Sequence, residues 1–247
     1  MRRTMPSSVT YSFGPGPLTP AVKGLIVVNV AVFLLSWVVP EMIPRLGLYP
    51  AGVFGNGWLW QPFTYMFLHG DLLHLLFNML ALWMFGVELE RLWGTTFFSR
   101  YYLVCGAGAA ATTILVSLLP FRFADALYVS LTIGASGAVY GLLLAYAIYY
   151  PARPIYLYFL FPVPARVFVI IIGAITLYSS IRATGSGIAH ATHLGGLVAG
   201  YLYLKGRRGG LLALVRYRID RWRYERRRRH LQVRHGGRSG GPDRWVH

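Results

Sequence analysis

Acidic side chains are nearly missing from this 247-residue chain: eight Asp and Glu stand against 24 Lys and Arg. None of the four aspartates (Asp71, Asp125, Asp220 and Asp243) lies inside an apolar run. That leaves no buried pair of aspartates to share a proton, as an aspartyl mechanism requires. Cysteine occurs once, as Cys105, so there is no disulfide framework. His190-Ala-Thr-His193 has neither the spacing nor the glutamate of HExxH, which excludes the helical zinc-protease signature. Charge as a whole is also short. Charged residues make up 13% of the chain, about half the share of a soluble domain. Residues of the AVILMFWYC set make up 55%, and the mean hydropathy is +0.49. Such a chain lacks the polar surface for a water-exposed globule and reads as an integral membrane protein.

Apolar runs long enough to cross a hydrocarbon core of about 30 Å occur at 21–39, 72–90, 100–119, 134–150, 167–182 and 187–204. The sequence therefore predicts an all-α, six-span membrane bundle. The first run is too long for a signal-peptide core, and only PEMIP follows it. Arg2, Arg3, Lys23, Arg91, Arg100, Arg153 and Arg166 fall on one side of such a bundle, together with the C-terminal tail. Only Arg45, Arg122 and Arg182 fall on the other. By the positive-inside rule both termini are cytoplasmic. The division expected is a cytoplasmic N-terminal segment at 1–20, a membrane domain at 21–204 and a basic cytoplasmic tail at 205–247.

The net charge of +16 is concentrated in that tail, which holds 14 of the 24 basic residues and three of the eight acids. From 211 to 233, Leu, Val, Trp and Tyr interleave with arginines. This fits an amphipathic helix on anionic lipids, or a topology-fixing tail that is disordered after Gly236. No nucleic-acid-binding module is recognisable. In the loop at 40–71, Trp58, Trp60, Phe63 and Tyr65 read as an interfacial aromatic belt.

Polar residues at membrane depth are costly and point to function. Here they are His74, Asn78, Ser136, His190 and His193, with Glu88 and Glu90 at one end of the second run. Ser136 opens the fourth run between Gly134 and Gly137, where a helix N-terminus offers free N–H groups to a developing oxyanion. Small residues flanking a serine also occur at plain helix contacts. Gly196 and Gly200 share a helix face with His193, and Gly137-xxx-Gly141 lines the fourth run. Two such faces pack closely and would bring His193 to Ser136 as its base. With no aspartate to orient the imidazole, the pair would be a dyad. Tyr140, one turn on from Ser136, is placed to pack on the ring or to serve as a core aromatic. His74 and Asn78, at i and i+4, are either oxyanion donors or interhelical hydrogen-bonding residues.

These residues fall into three motifs: His74-Leu-Leu-Phe-Asn78, Gly134-Ala-Ser136-Gly137 and Ala191-Thr-His193-Leu-Gly-Gly-Leu-Val-Ala-Gly200. In that order and on those runs, they resemble the rhomboid intramembrane serine proteases over about residues 55–204. The resemblance implies Ser136 as nucleophile and His193 as general base, then acid. It implies an oxyanion hole of His74, Asn78 and the Ser136 backbone N–H, with Tyr140 packed on the histidine. Gln61 follows Trp60 where the family commonly has arginine, and Glu90-Arg91 resembles a structural network after the second span. No cofactor or metal is implied. The expected partners are single-span or polytopic membrane protein substrates and the lipid bilayer, and the expected location is a bacterial cytoplasmic (inner) membrane. The alternative within the family, a non-cleaving pseudoprotease that binds membrane clients, is disfavoured by the intact Ser136 and His193. A transporter would need an intramembrane charge and an internal repeat, and the sequence has neither.

Overall fold

The computed structural model describes residues 14–120, 122–157, 161–182 and 188–207. After Thr19, Pro20 starts α1 (Pro20–Val38) with its φ already helical. Its first N–H groups are satisfied from another helix: the Glu90 carboxylate accepts from Ala21 N at 2.9 Å and Val22 N at 3.0 Å. The following loop is not extended. It folds as three short helices, α2 (Met42–Leu46), α3 (Pro50–Asn56) and α4 (Gln61–Thr64), and a 3-10 turn at Tyr65–Phe67. Asp71 caps α5 (Leu72–Trp93), its carboxylate accepting from His74 N at 2.8 Å. Gly94, at φ +79°, turns the chain directly into α6 (Thr95–Ser117). Then come α7 (Arg122–Tyr128), α8 (Ser136–Tyr149), α9 (Ala165–Arg182) and α10 (Ile188–Arg207). The chain is mostly helical, and each of the six apolar runs overlaps one of the longer helices. Two of them, α1 and α5, are long and apolar enough by length and composition to cross a membrane.

The centre packs aromatic, small and aliphatic side chains, and many further apolar side chains lie on the outside. Tyr65, Phe98, Tyr101, Tyr102 and Leu142 are fully buried, whereas Val27, Leu34, Phe77, Ile170 and Leu202 are exposed. That apolar exterior suits a hydrocarbon surrounding, in which apolar surface needs no cover. Glycine sets the closest helix approach. A Cβ on Gly196 of α10 would overlap the Gly137 carbonyl of α8, and one on Gly200 would lie 3.3 Å from Gly141 Cα.

Three readings of the sequence are changed or left open. Tyr65 is not part of an interfacial belt: it is fully buried, and its hydroxyl donates to the Gly106 carbonyl at 2.8 Å, while Trp60 and Phe63 are exposed. The bundle is not purely helical. An antiparallel ribbon, β1 (Pro154–Leu157) and β2 (Phe161–Pro164), joins α8 to α9 with Pro154 opposite Pro164. Prolines at the ribbon's open end and at the Tyr156–Pro162 pair mask the strand signal, because proline donates no ladder hydrogen bond. The amphipathic and disordered readings of the tail concern residues from 208 on, outside the described residues.

Candidate active site

The segment that delivers Ser136 is fastened before α8 begins. Leu48 and Thr132 exchange backbone hydrogen bonds at 2.9 and 2.8 Å, and Gly134 N donates to the Tyr65 carbonyl at 3.0 Å. Gly134 then takes φ +121°, a conformation that side chains rarely adopt. Space demands glycine there as well, since a Cβ would lie 2.7 Å from His74 Nε2. The His74 imidazole therefore lies against the Gly134 backbone. Ser136 Oγ is on the same side, 3.8 Å from that Cβ position. Ser136 is the first residue of α8, where the helix N–H groups have no intrahelical acceptor.

The structure brings Ser136 and His193 together: Nε2 of the imidazole lies 2.8 Å from Oγ. The glycine faces explain how. Gly137 and Gly141 meet Gly196 and Gly200 backbone to backbone, which puts His193, one turn before Gly196, level with the start of α8. The Thr192 and Thr113 hydroxyls, both buried, lie 2.7 Å apart and fix α10 against α6 beside the histidine. Tyr140 stacks on the imidazole with ring centroids 4.3 Å apart and planes within 6°. His193 Nδ1 is buried and finds no hydrogen-bond partner among the described residues. His190 lies edge-on to His193 at 6.2 Å.

Asn78 is buried on α5, and its amide donates to its own helix at the His74 carbonyl, 2.9 Å. The sequence gives no sign of that bond, which occupies one of the amide's two N–H groups. His69, outside the apolar runs, is almost fully buried with its ring 5.0 Å from that of His74. Burial holds its pKa down to about 4, with the neighbouring His74 adding to the effect. Among the described residues no group of three His, Cys, Asp or Glu side chains is arranged to hold a metal ion.

The supporting polar residues are well satisfied. Gln61 is fully buried, accepting from Tyr49 N at 3.0 Å and donating to the Arg45 carbonyl at 3.3 Å. An uncharged amide thus fills this position without a counter-ion. Glu90, beyond its two bonds to α1, accepts from the Thr95 hydroxyl at 2.8 Å and from the Thr19 hydroxyl. Arg91 donates to the Pro15 and Pro17 carbonyls, and Glu88 pairs with Arg153. The sequence placed Glu90 in a network, but not as the cap of α1.

A family model described as the Rhomboid domain matches residues 56–208. The chain is 34% identical over 187 residues to Rhomboid protein 1, mitochondrial, of Saccharomyces cerevisiae, covering 74% of this chain and 51% of the yeast protein. It is 30% identical over 161 residues to Rhomboid protease GluP of Bacillus subtilis, covering 65% and 28%. To Rhomboid protease AarA of Providencia stuartii it is 28% identical over 214 residues, covering 79% and 74%. It thus spans about half of the yeast protein and little more than a quarter of the Bacillus one. Because mitochondrial and bacterial relatives stand side by side, a bacterial inner membrane is not favoured over other membranes. With the Rhomboid domain model matching more than half of its length, this chain belongs to the rhomboid family of integral membrane proteins.

Proposed function

We propose that the chain is an intramembrane serine endopeptidase that cleaves membrane protein substrates through a Ser136–His193 dyad. The observation that carries the reading is the 2.8 Å separation of His193 Nε2 and Ser136 Oγ at a helix N-terminus inside an apolar-faced bundle. Neutral His193 takes the Ser136 proton as Oγ attacks the scissile carbonyl carbon. The carbonyl oxygen becomes an oxyanion, met by the Ser136 backbone N–H, His74 and the second amide N–H of Asn78. His193 then gives its proton to the departing amine, and water, activated by the same imidazole, releases the acyl chain from Ser136. Protonation of His193 removes its acceptor lone pair, so the rate falls on the acid side. Tyr140, Gly134 and Gly137 support the site, by stacking on the ring, by admitting His74 and by close helix approach.

In this reading α1, α5, α6, α8, α9 and α10 each span the bilayer within a membrane domain at 21–204. Arg91, Arg153, Arg166 and the tail at 205–247 then lie on the cytoplasmic side with both termini. The tail's arginines attract anionic lipid headgroups. The test is cleavage of a single-span model substrate in detergent. The native protein cuts it, and Ser136→Ala does not while unfolding at the same temperature. Cleavage by Ser136→Ala near the native rate would overturn the proposal.

A further inference from the structure

Among the described residues, no carboxylate or other partner holds the buried Nδ1 of His193. What faces the ring is the Tyr140 phenol, nearly parallel at 4.3 Å. A stacked ring fixes the imidazole plane only as well as it is itself fixed. The Tyr140 hydroxyl ends 3.3 Å from the Thr176 hydroxyl, on a different helix, α9.

Thr176 is unlike its neighbours. Ile175, Leu177 and Tyr178 are exposed, whereas Thr176 is 3% exposed. Its hydroxyl turns inward from an apolar helix, within hydrogen-bond reach of the Tyr140 phenol. The helix that carries it is in side-chain contact with α10, where a Cβ on Gly173 would lie 3.8 Å from Leu197 Cδ1. Thr176, Tyr140 and His193 thus form a chain from α9 to α8 to α10 that ends at the imidazole bonded to Ser136.

We infer that Thr176 is a positioning residue, whose hydroxyl holds the Tyr140 ring flat against His193 and so sets the imidazole plane for proton transfer from Ser136. The inference rests on the dyad reading above. It concerns orientation alone, so removing the hydroxyl leaves substrate binding in place and slows the chemical step.

The experiment compares native protein with Thr176→Val, which keeps the side-chain shape, and Thr176→Ser, which keeps the hydroxyl. Two readouts are taken: cleavage kinetics on the single-span substrate, and the His193 ring resonance in histidine-labelled protein, assigned by its loss in His193→Asn. In Thr176→Val, kcat falls by about three- to tenfold, as for one neutral hydrogen bond, with KM changed by less than about twofold. The His193 resonance moves. Thr176→Ser restores both, and the valine has no further effect in a Tyr140→Phe background. A moved resonance in a protein that never cleaves would support the positioning role and sink the protease reading. Native kcat with an unmoved resonance in Thr176→Val, in an active enzyme, would overturn the positioning role and leave the dyad standing.

Discussion

Replacing Gly196 by alanine adds one methyl group at the point where α10 meets α8. Its Cβ would lie 2.8 Å from the Gly137 carbonyl carbon and closer still to the oxygen. Carbon atoms sit at ease about 3.5–4.0 Å apart, so the helices must separate locally by on the order of 1 Å. His193 is one turn away on α10 and Ser136 is adjacent to Gly137, so the 2.8 Å contact would open beyond the 3.5 Å reach of a hydrogen bond. Overpacking of this kind costs roughly 1–3 kcal/mol of stability, and a misplacement of about 1 Å costs about 10²-fold in rate. Gly24→Ala is the control. Nothing lies within 4 Å of its Cβ position on α1, and alanine in a helix stabilises by about 0.5–1 kcal/mol. The assay is cleavage per folded molecule beside thermal unfolding, both in detergent. Gly196→Ala with native turnover would refute the argument that close glycine contact sets the dyad distance.

His74→Ala and Asn78→Ala should each lower kcat by about 10²–10³, as removal of one oxyanion donor does; full kcat with lowered stability would make them purely structural. Glu90→Gln replaces one acceptor oxygen with a donor facing groups that already donate, costing roughly 1–3 kcal/mol. It should lower the unfolding temperature without changing turnover per folded molecule. His69 is buried with its pKa lowered to about 4, so the folded state binds fewer protons than the unfolded one between that value and the ordinary pKa of about 6.5. Stability should therefore decline as pH falls through this window, more steeply in the native protein than in His69→Gln; equal slopes would refute the assignment.

Much of this was legible in the sequence, because a membrane chain writes its helices as apolar runs and its expensive polar residues stand out against them. The apolar runs at 21–39 and 72–90 locate α1 and α5 to within a few residues, and the α8–α10 approach follows from glycines at helical spacing. What was hidden depends on which way a side chain turns. Tyr65 belongs to the core and Phe63 to the surface, yet both are aromatics in one loop. Asn78 spends an amide N–H on its own helix, and Thr176 in an apolar run gives no hint that it faces Tyr140. The strands at 154–157 and 161–164 were concealed by their prolines. Glu90 capping α1 is a contact across 69 residues, which no local pattern announces.

The central claim is that Ser136 is a nucleophile activated by His193. The direct measurement is labelling of the purified protein by a fluorophosphonate probe in detergent, with peptide mapping of the modified residue. The account predicts a single adduct on Ser136, formed in the native protein and lost in Ser136→Ala and His193→Ala. An adduct on another residue, or one on Ser136 formed at an undiminished rate in His193→Ala, would contradict it.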